Sequence, residues 1–310
     1  LKGKDLLSIL DLDQADAWSL INSAIKLKKD PRQPLLAGKS LALIFEKPSL
    51  RTRVSFDVGM YQLGGHAVYL SPAEIGLGKR EPVRDIAGVL NRFVDGIVAR
   101  TFSQEVQVEL AKYSPSPVIN GLSDEEHPCQ ALGDFMTIYE KKGTLRGLTL
   151  TYVGDGNNVA NSLFLLAAVM GVNFRIACPA LYEPPTPLWD KARSLAAAQG
   201  SAMDIVRDPE AAAHGADILY TDVWVSMGQE DEAARRLAAF KGYQVNSKLV
   251  AAANKGALLM HPMPVHHGDE MESALVYSPQ SVLLDQAENR LHIQKAILAQ
   301  LLGKARSVRE

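Results

Sequence analysis

The sequence predicts an α/β protein built on open sheets, and three observations carry that expectation. Short runs rich in Leu, Ile and Val alternate with longer, helix-like stretches along the chain. Charged and polar residues gather where the apolar runs end, which is where open α/β sheets place their ligands. The 310 residues suffice for two domains or one large one.

Taken in order, residues 11–29 bring Leu12, Ala15, Trp18, Leu20, Ile21 and Ile25 onto a helical repeat that ends in basic residues. Pro31 and Pro34 stop that helix. Residues 39–45 (KSLALIF) read as a buried strand, Pro48 breaks it, and Ser49 is a natural N-cap for a following helix. Arg51, Thr52, Arg53 and Ser55 crowd the first turns of that helix. A helix start offers unpaired N–H groups and the positive end of the macrodipole, so hydroxyls and guanidinium groups there make an oxyanion or phosphate site. Arginines are otherwise poorly placed at that end, and a compensating anion is expected. The alternative is a solvated arginine pair beside an ordinary serine cap.

The helix stops at Gly64-Gly65, and residues 67–70 form a second strand. Residues 71–84 (SPAEIGLGKREPVR) read as a mobile loop whose Lys79, Arg80 and Arg84 either close over an anion or form a solvated charged face. Residues 95–100 form a strand with Arg100 at its carboxyl end, and residues 117–120 form another. His127-Pro128-Cys129-Gln130 then opens a helix, with Pro128 in the favoured first turn. His127 and Gln130 share a face, and both can donate to an oxygen; a plain helix cap is the other reading of His127.

Lys141-Lys142-Gly143 ends that helix and marks a domain boundary. Residues 148–153 run as a strand into Gly154-Asp155-Gly156-Asn157-Asn158, which invites a dinucleotide reading that fails in detail. The third glycine of the fingerprint falls at Val159, and the next strand, residues 174–178, ends in Pro179 with no acid for a ribose. The glycines then serve a tight turn, and Asn157 or Asn158 presents an amide.

Strands at 203–206 and 217–220 continue the alternation. Asp222, with Ser226-Met227-Gly228 close behind, suits a cationic amino group, or else caps a helix. Residues 257–260 lead into His261-Pro262-Met263-Pro264-Val265-His266-His267-Gly268-Asp269-Glu270. Three histidines and two acids suggest a metal site, but the loop lacks the H-x-x-x-H helix spacing and adjacent histidines on a proline-punctuated loop are not expected to converge, so no metal is assigned. Ala287-Glu288-Asn289-Arg290 starts a closing helix through Leu302, with Arg290 in a first turn.

Composition narrows the classes. Hydrophobic residues at 47% and charged residues at 22% fit a globular chain rather than a disordered one. A net charge of −2 implies no general attraction to nucleic acid or membrane. No apolar run approaches the roughly 20 residues of a membrane span, and the opening LKGKDLLSILDL is too charged for a signal peptide. Cys129 and Cys178 fit neither a metal spacing nor a disulfide framework, so a reducing, cytoplasmic setting is expected.

FEKPSLRTR, LGGHAVYL, NGLSDEEHPCQALGDF, YVGDGNN, TDVWVSMGQE, KGYQVN and AENR occur together and in this order. By these segments the chain resembles the aspartate/ornithine carbamoyltransferase family over essentially its whole length, and within it the ornithine branch. The resemblance implies two doubly wound parallel-sheet α/β domains of similar size: residues 1–142 for carbamoyl phosphate and 143–287 for the amino acid. Residues 288–310 would return as a helix to the first domain. It also implies a homotrimer or a multiple of trimers.

By position, Ser49, Leu50, Arg51 and Thr52 would bind the phosphate of carbamoyl phosphate, and Arg100, His127, Gln130 and Arg290 its carbamoyl and phosphate oxygens. Asn158, Asp222, Ser226 and Met227 would hold ornithine. Arg100, His127 and Arg51 would be catalytic, and no metal or organic cofactor is required. The implied reaction moves the carbamoyl group to the side-chain amine of L-ornithine, giving L-citrulline and phosphate for arginine biosynthesis. Other readings are a carbamoyltransferase for another amine, such as putrescine, and a non-catalytic paralogue that binds carbamoyl phosphate.

Two departures stand out. The ornithine enzymes usually carry His-Cys-Leu-Pro where this chain has His261-Pro262-Met263-Pro264, so the acceptor-side loop of His261, Pro262 and Met263 lacks the family cysteine. That form resembles the aspartate enzymes, yet an acid at Asp222 would repel an aspartate side chain. Leu50 replaces a frequent threonine and leaves only its backbone N–H. On the neighbouring-subunit loop of the aspartate enzymes, Lys79 is a weak counterpart of their lysine.

Overall fold

The computed structural model describes Leu1 and residues 3–78 and 80–303, in two compact units. The first comprises Leu1–Met136 and Glu288–Glu310, the second Thr137–Ala287.

In the first unit α1 (Gln14–Lys29) begins where Asp13 accepts the N–H of Asp16 at 2.7 Å. The start is later than the hydrophobic repeat implied, because Ile9–Asp11 are spent on a separate 3-10 turn capped by Ser8. There follow β1 (Ser40–Phe45), α2 (Leu50–Gln62), β2 (His66–Leu70), α3 (Pro72–Ile75), α4 (Val83–Leu90), β3 (Gly96–Arg100), α5 (Gln104–Tyr113), β4 (Val118–Leu122) and α6 (Pro128–Lys142). All strands are parallel in the order β2-β1-β3-β4. The chain therefore winds one way from β1 to β2 and the other way from β3, and the reversal falls between β1 and β3.

Residues 71–84 are more ordered than a loop reading implied. Ser71 and Glu74 close a capping box around Pro72, which nucleates α3, and Gly76 in the left-handed region ends it. Lys79 lies outside the described residues. Strand β4 runs on through Gly121, where a Cβ would lie 3.1 Å from Val98 Cγ1. The register of β3 against β4 shifts there, between Ala99 and Arg100.

In the second unit β5 (Thr149–Val153), α7 (Asn158–Met170), β6 (Asn173–Ala177), α8 (Thr186–Gln199), β7 (Met203–Val206), α9 (Pro209–Ala213), β8 (Ile218–Thr221), α10 (Ala233–Ala239), α11 (Ser247–Ala252) and β9 (Leu258–Met260) build a parallel sheet of order β7-β6-β5-β8-β9. Its reversal lies between β5 and β8. Leu219, Leu259 and Val153 pack beneath it with Ala212, Ala216, Leu249 and Met271.

Helix α12 (Leu283–Leu302) begins before the expected Ala287. Asp285 suits its first turn, and the Gln286 N–H already donates to the Val282 carbonyl at 2.8 Å. Arg290 consequently sits past the first turn rather than in it. Both cysteines are buried and free, and among the described residues no helix is long and apolar enough to cross a membrane.

Candidate active site

At the first reversal, β1 hands over to α2 beside the end of β3, with Phe45 and Arg100 paired in register. Ser49 caps α2 in extended backbone, its Oγ accepting the Thr52 N–H at 3.3 Å. That turn leaves the first N–H groups of the helix directed outward, as an anion site requires. Thr52 is buried, and its hydroxyl accepts from two guanidiniums: Arg290 Nη2 at 3.1 Å and Arg100 Nη1 at 3.5 Å. Arg290 also donates through Nη1 to Gln130 Oε1, and Gln130 passes a 2.8 Å hydrogen bond to Asp134.

The electrostatics of this cluster are lopsided. Arg100 is 6% exposed and, among the described residues, makes no ion pair; its buried Nε has no hydrogen-bond partner there. Burial first, then repulsion from Arg290 and Arg51, pulls its pKa down to about 9. Burial also lowers Arg51. His127 is held well below the ordinary imidazole value by burial, then by Arg290 and Arg100, so it is neutral at pH 7. A neutral imidazole donates to a carbonyl without adding charge to a crowded positive site.

Not every residue at the α2 start belongs to this cluster. Arg53 stacks on the Tyr69 ring at 3.7 Å, and Ser55 Oγ bonds back to the Thr52 carbonyl at 3.2 Å. The Leu50 side chain is 75% exposed, so only its backbone can serve a ligand there. Among the loop cations, Arg80 donates to the Glu74 carbonyl at 3.4 Å and Arg84 lies over the Tyr113 ring at 5.1 Å.

At the second reversal, the turn after β5 meets the end of β8. Asn157 caps α7, its Oδ1 accepting the N–H groups of Val159 and Ala160 at 3.0 Å each. Its Nδ2 donates to Asp222 Oδ2 at 2.9 Å. Gly156 is required by close approach, since a Cβ there would stand 2.4 Å from the Pro184 nitrogen. The glycines thus serve a tight turn.

Asp222 caps no helix. Its Oδ1 accepts the Val223 N–H at 2.8 Å, and the next α-helix begins only at Ala233. Burial raises its pKa, opposed by His261 and by the bonds from Asn157 and Val223. A desolvated carboxylate of this kind gains from an approaching cation. Ser226 and Met227 lie on a turn whose N–H groups at Ser226 and Gly228 are held by Gln229 and Glu230. The buried Arg236 fixes this region by reaching Asp155 at 2.7 Å and the Trp224 carbonyl at 3.2 Å.

After β9, His261 is buried and accepts the Met263 N–H on Nδ1 at 2.8 Å. The proton therefore sits on Nε2, which donates to Glu270 Oε1 at 3.0 Å. Burial works to raise Glu270, but the bonds from His261 and the His266 N–H outweigh it and hold the carboxyl below its usual range. Met263 takes the left-handed backbone (φ 59) beside Pro262.

The adjacent histidines do not converge, since His267 turns away to stack on Tyr277, but His266, Asp269 and Glu270 bring ligand atoms within 4.8 Å of one another. The reason is that Glu270 accepts the His266 N–H at 2.7 Å and curls the loop into a turn. Of the two amides left open in the sequence, that of Asn157 is the one that meets Asp222, and its place as N-cap of α7 was the signal for it.

Of the residues singled out in sequence, Ser49, Thr52, Arg100, Gln130 and Arg290 are joined through hydrogen bonds, with Arg51 and His127 in electrostatic contact. In the second unit Asp222 and His261 form one electrostatic group. Two parallel α/β units, each with a polar cluster at its topological switch point, define a two-domain α/β protein with two candidate ligand-binding regions.

Residues 4–140 match the aspartate/ornithine carbamoyltransferase carbamoyl-P binding domain, and residues 146–301 match the Asp/Orn binding domain. The chain belongs to the aspartate/ornithine carbamoyltransferase family. It is 48% identical over 304 residues to an ornithine carbamoyltransferase of Methanoculleus marisnigri, covering 97% of each chain. It is likewise 48% identical over 307 residues to an anabolic ornithine carbamoyltransferase of Pyrococcus furiosus, covering 98% of each. The solved structure of the ornithine carbamoyltransferase from Pyrococcus furiosus superposes with a TM-score of 0.95 at 47% identity, covering 97% of this chain and 98% of that one.

Proposed function

We propose that this protein transfers the carbamoyl group of carbamoyl phosphate to the side-chain amine of L-ornithine, releasing L-citrulline and phosphate in the direction of arginine synthesis. The observation that carries the reading is Arg100. It is a buried guanidinium crowded by two others and unneutralised among the described residues, at the switch point of a sheet. A dianionic donor supplies the missing charge.

In this reading Ser49, Leu50, Arg51 and Thr52 bind the phosphate, Leu50 through its backbone. Arg100, His127, Gln130 and Arg290 take the carbamoyl and phosphate oxygens. Attack of the neutral amine on the carbamoyl carbon forms the N–C bond and a tetrahedral oxyanion. Collapse breaks the C–O bond to phosphate, which leaves with the proton of the attacking nitrogen as hydrogenphosphate. Arg100 and neutral His127 stabilise the oxyanion, while Arg51 and Arg290 stabilise charge on the leaving phosphate. The amine, ordinarily near pKa 10.4, must first lose a proton, which desolvation beside guanidiniums favours.

Asn158, Asp222, Ser226 and Met227 hold the amino acid, with Asp222 meeting a cationic group, and His261, Pro262 and Met263 flank the acceptor. The near relatives named as ornithine enzymes support that acceptor over aspartate, despite the proline at 262. We read the protein as a cytoplasmic homotrimer, or a multiple of trimers. The free cysteines fit a reducing compartment, and the trimer rests on the family resemblance.

The test is product formation from carbamoyl phosphate with L-ornithine, L-aspartate and putrescine in parallel. Citrulline is expected to dominate. A preference for putrescine, indifferent to the α-carboxylate and α-amine, would make the His-Pro-Met-Pro loop a specificity determinant. Binding of carbamoyl phosphate with no product from any amine would leave a lapsed enzyme.

A further inference from the structure

Lys295 sits on α12 in a run that is otherwise mostly apolar, and its side chain is fully buried (0% exposed). Its ammonium spends its hydrogens on three neutral oxygens: Pro31 O at 2.7 Å, Gln62 Oε1 at 2.8 Å and Leu27 O at 3.3 Å. Among the described residues no carboxylate lies within ion-pair distance of it; Asp30 acts only from further away.

Each acceptor has a reason to need this donor. The Leu27 carbonyl, in the last turn of α1, would take the N–H four residues on, but that residue is Pro31, which has none. The negative end of the α1 macrodipole also favours a cation there. Gln62 is the last residue of α2. The lysine stem passes over α2 at Gly59, where a Cβ would come within 3.3 Å of Lys295 Cγ and 3.7 Å of Leu291 Cδ1. A glycine inside a helix costs about 1 kcal/mol against alanine, and this close approach explains its use.

Helices α12 and α2 are therefore fastened at two places. Near the α2 start, Arg290 Nη2 holds Thr52 Oγ1 at 3.1 Å; at the α2 end, Lys295 holds Gln62. We propose that Lys295 is a positioning residue for carbamoyl phosphate binding, fixing the register of α12 along α2 so that Arg290 reaches Thr52. The proposal rests on the reading of Arg290 as a carbamoyl phosphate ligand. It gives a buried lysine outside the phosphate cluster a role that acts through another side chain.

The experiment is a double-mutant cycle of Lys295→Met and Arg290→Ala, read by calorimetric titration with carbamoyl phosphate well below the melting temperature. Lys295→Met alone is expected to weaken binding about tenfold, the equivalent of one lost charge-assisted hydrogen bond. In the Arg290→Ala background the same change should cost less than about twofold, because the residue it serves is gone. The KM for ornithine at saturating carbamoyl phosphate should stay within about twofold of wild type.

A folded Lys295→Met protein with unchanged affinity overturns the proposal. So does the full loss repeated on top of Arg290→Ala, since that marks a general structural effect. Unchanged binding in Arg290→Ala alone overturns the ligand reading itself and the proposal with it. If Lys295→Met fails to fold, Gln62→Leu in the same cycle decides: about threefold weaker binding that vanishes with Arg290→Ala supports it, and no change overturns it.

Discussion

The two switch points bury charge of opposite sign, and they tolerate it differently. Between β1 and β3, burial and neighbouring guanidiniums press Arg100 down to about 9, and its contacts among the described residues go to neutral atoms. Between β5 and β8, burial raises Asp222, but Asn157, the Val223 N–H and His261 all oppose the rise. Arg100 finds no counter-charge among the described residues, whereas Asp222 accepts hydrogen bonds from Asn157 and the Val223 N–H within its own unit. A ligand should therefore matter more electrostatically to the arginine cluster than to the acid.

The largest effect to expect is at the first cluster. Arg51→Ala should weaken carbamoyl phosphate binding on the order of 10²-fold, from the loss of charge-assisted bonds to phosphate. Calorimetry that finds the wild-type affinity would remove the phosphate from the start of α2. At the second cluster, Asp222→Asn keeps the shape and the Asn157 contact while deleting the charge. It should raise the KM for ornithine roughly tenfold, with carbamoyl phosphate affinity moving less than about twofold. If both ligands suffer equally, the division of labour between the clusters is wrong.

The smallest effect concerns stability. His127 is kept neutral in the fold, below its ordinary value of 6.5, by burial and by Arg290 and Arg100. As pH falls through about 6.5, the unfolded chain takes up a proton that the folded chain refuses. Stability then declines by up to about 1.4 kcal/mol per pH unit, and above about pH 7.5 the group contributes nothing. Denaturant melts of wild type and His127→Asn between pH 5 and 8 isolate this contribution as a shallower acid limb in the variant. Equal slopes would mean that the folded imidazole takes up its proton as readily as the unfolded one.

The arginine cluster is the more legible of the two in sequence. The run from residues 39 to 45 shows its strand by composition, Pro48 ends it, and Ser49 caps the helix as its position required. Local rules are enough for that much, because strand end, cap and helix start are neighbours in the chain. They cannot show that Arg290 lands on Thr52 and Gln130, since that contact depends on the packing of α12; only the resemblance pointed there. The extent of α12 differs from the sequence expectation because Leu283 and Leu284 precede the polar stretch that looks like its start.

The acid cluster was harder. Asp222 at the end of a strand was visible, but helix cap and ligand site look alike until the following turn is known to be non-helical. The curl of residues 266–270 depends on a side-chain bond from Glu270 to a backbone N–H, which leaves no periodic trace. Lys295 did leave one, as a single cation in the closing stretch LHIQKAILAQLL, and the burial of its tip decided its meaning.

The unneutralised guanidinium of Arg100 bears on the medium as well as on the substrate. Any small oxyanion that fits beside Thr52 competes for that charge, whether sulfate from a buffer or the phosphate left by turnover. An anion that binds only the folded chain also adds RT ln(1 + [L]/Kd) to its stability. Spent phosphate would then protect the fold while delaying the next cycle, so storage in phosphate and assay in phosphate would give opposite impressions of the same protein.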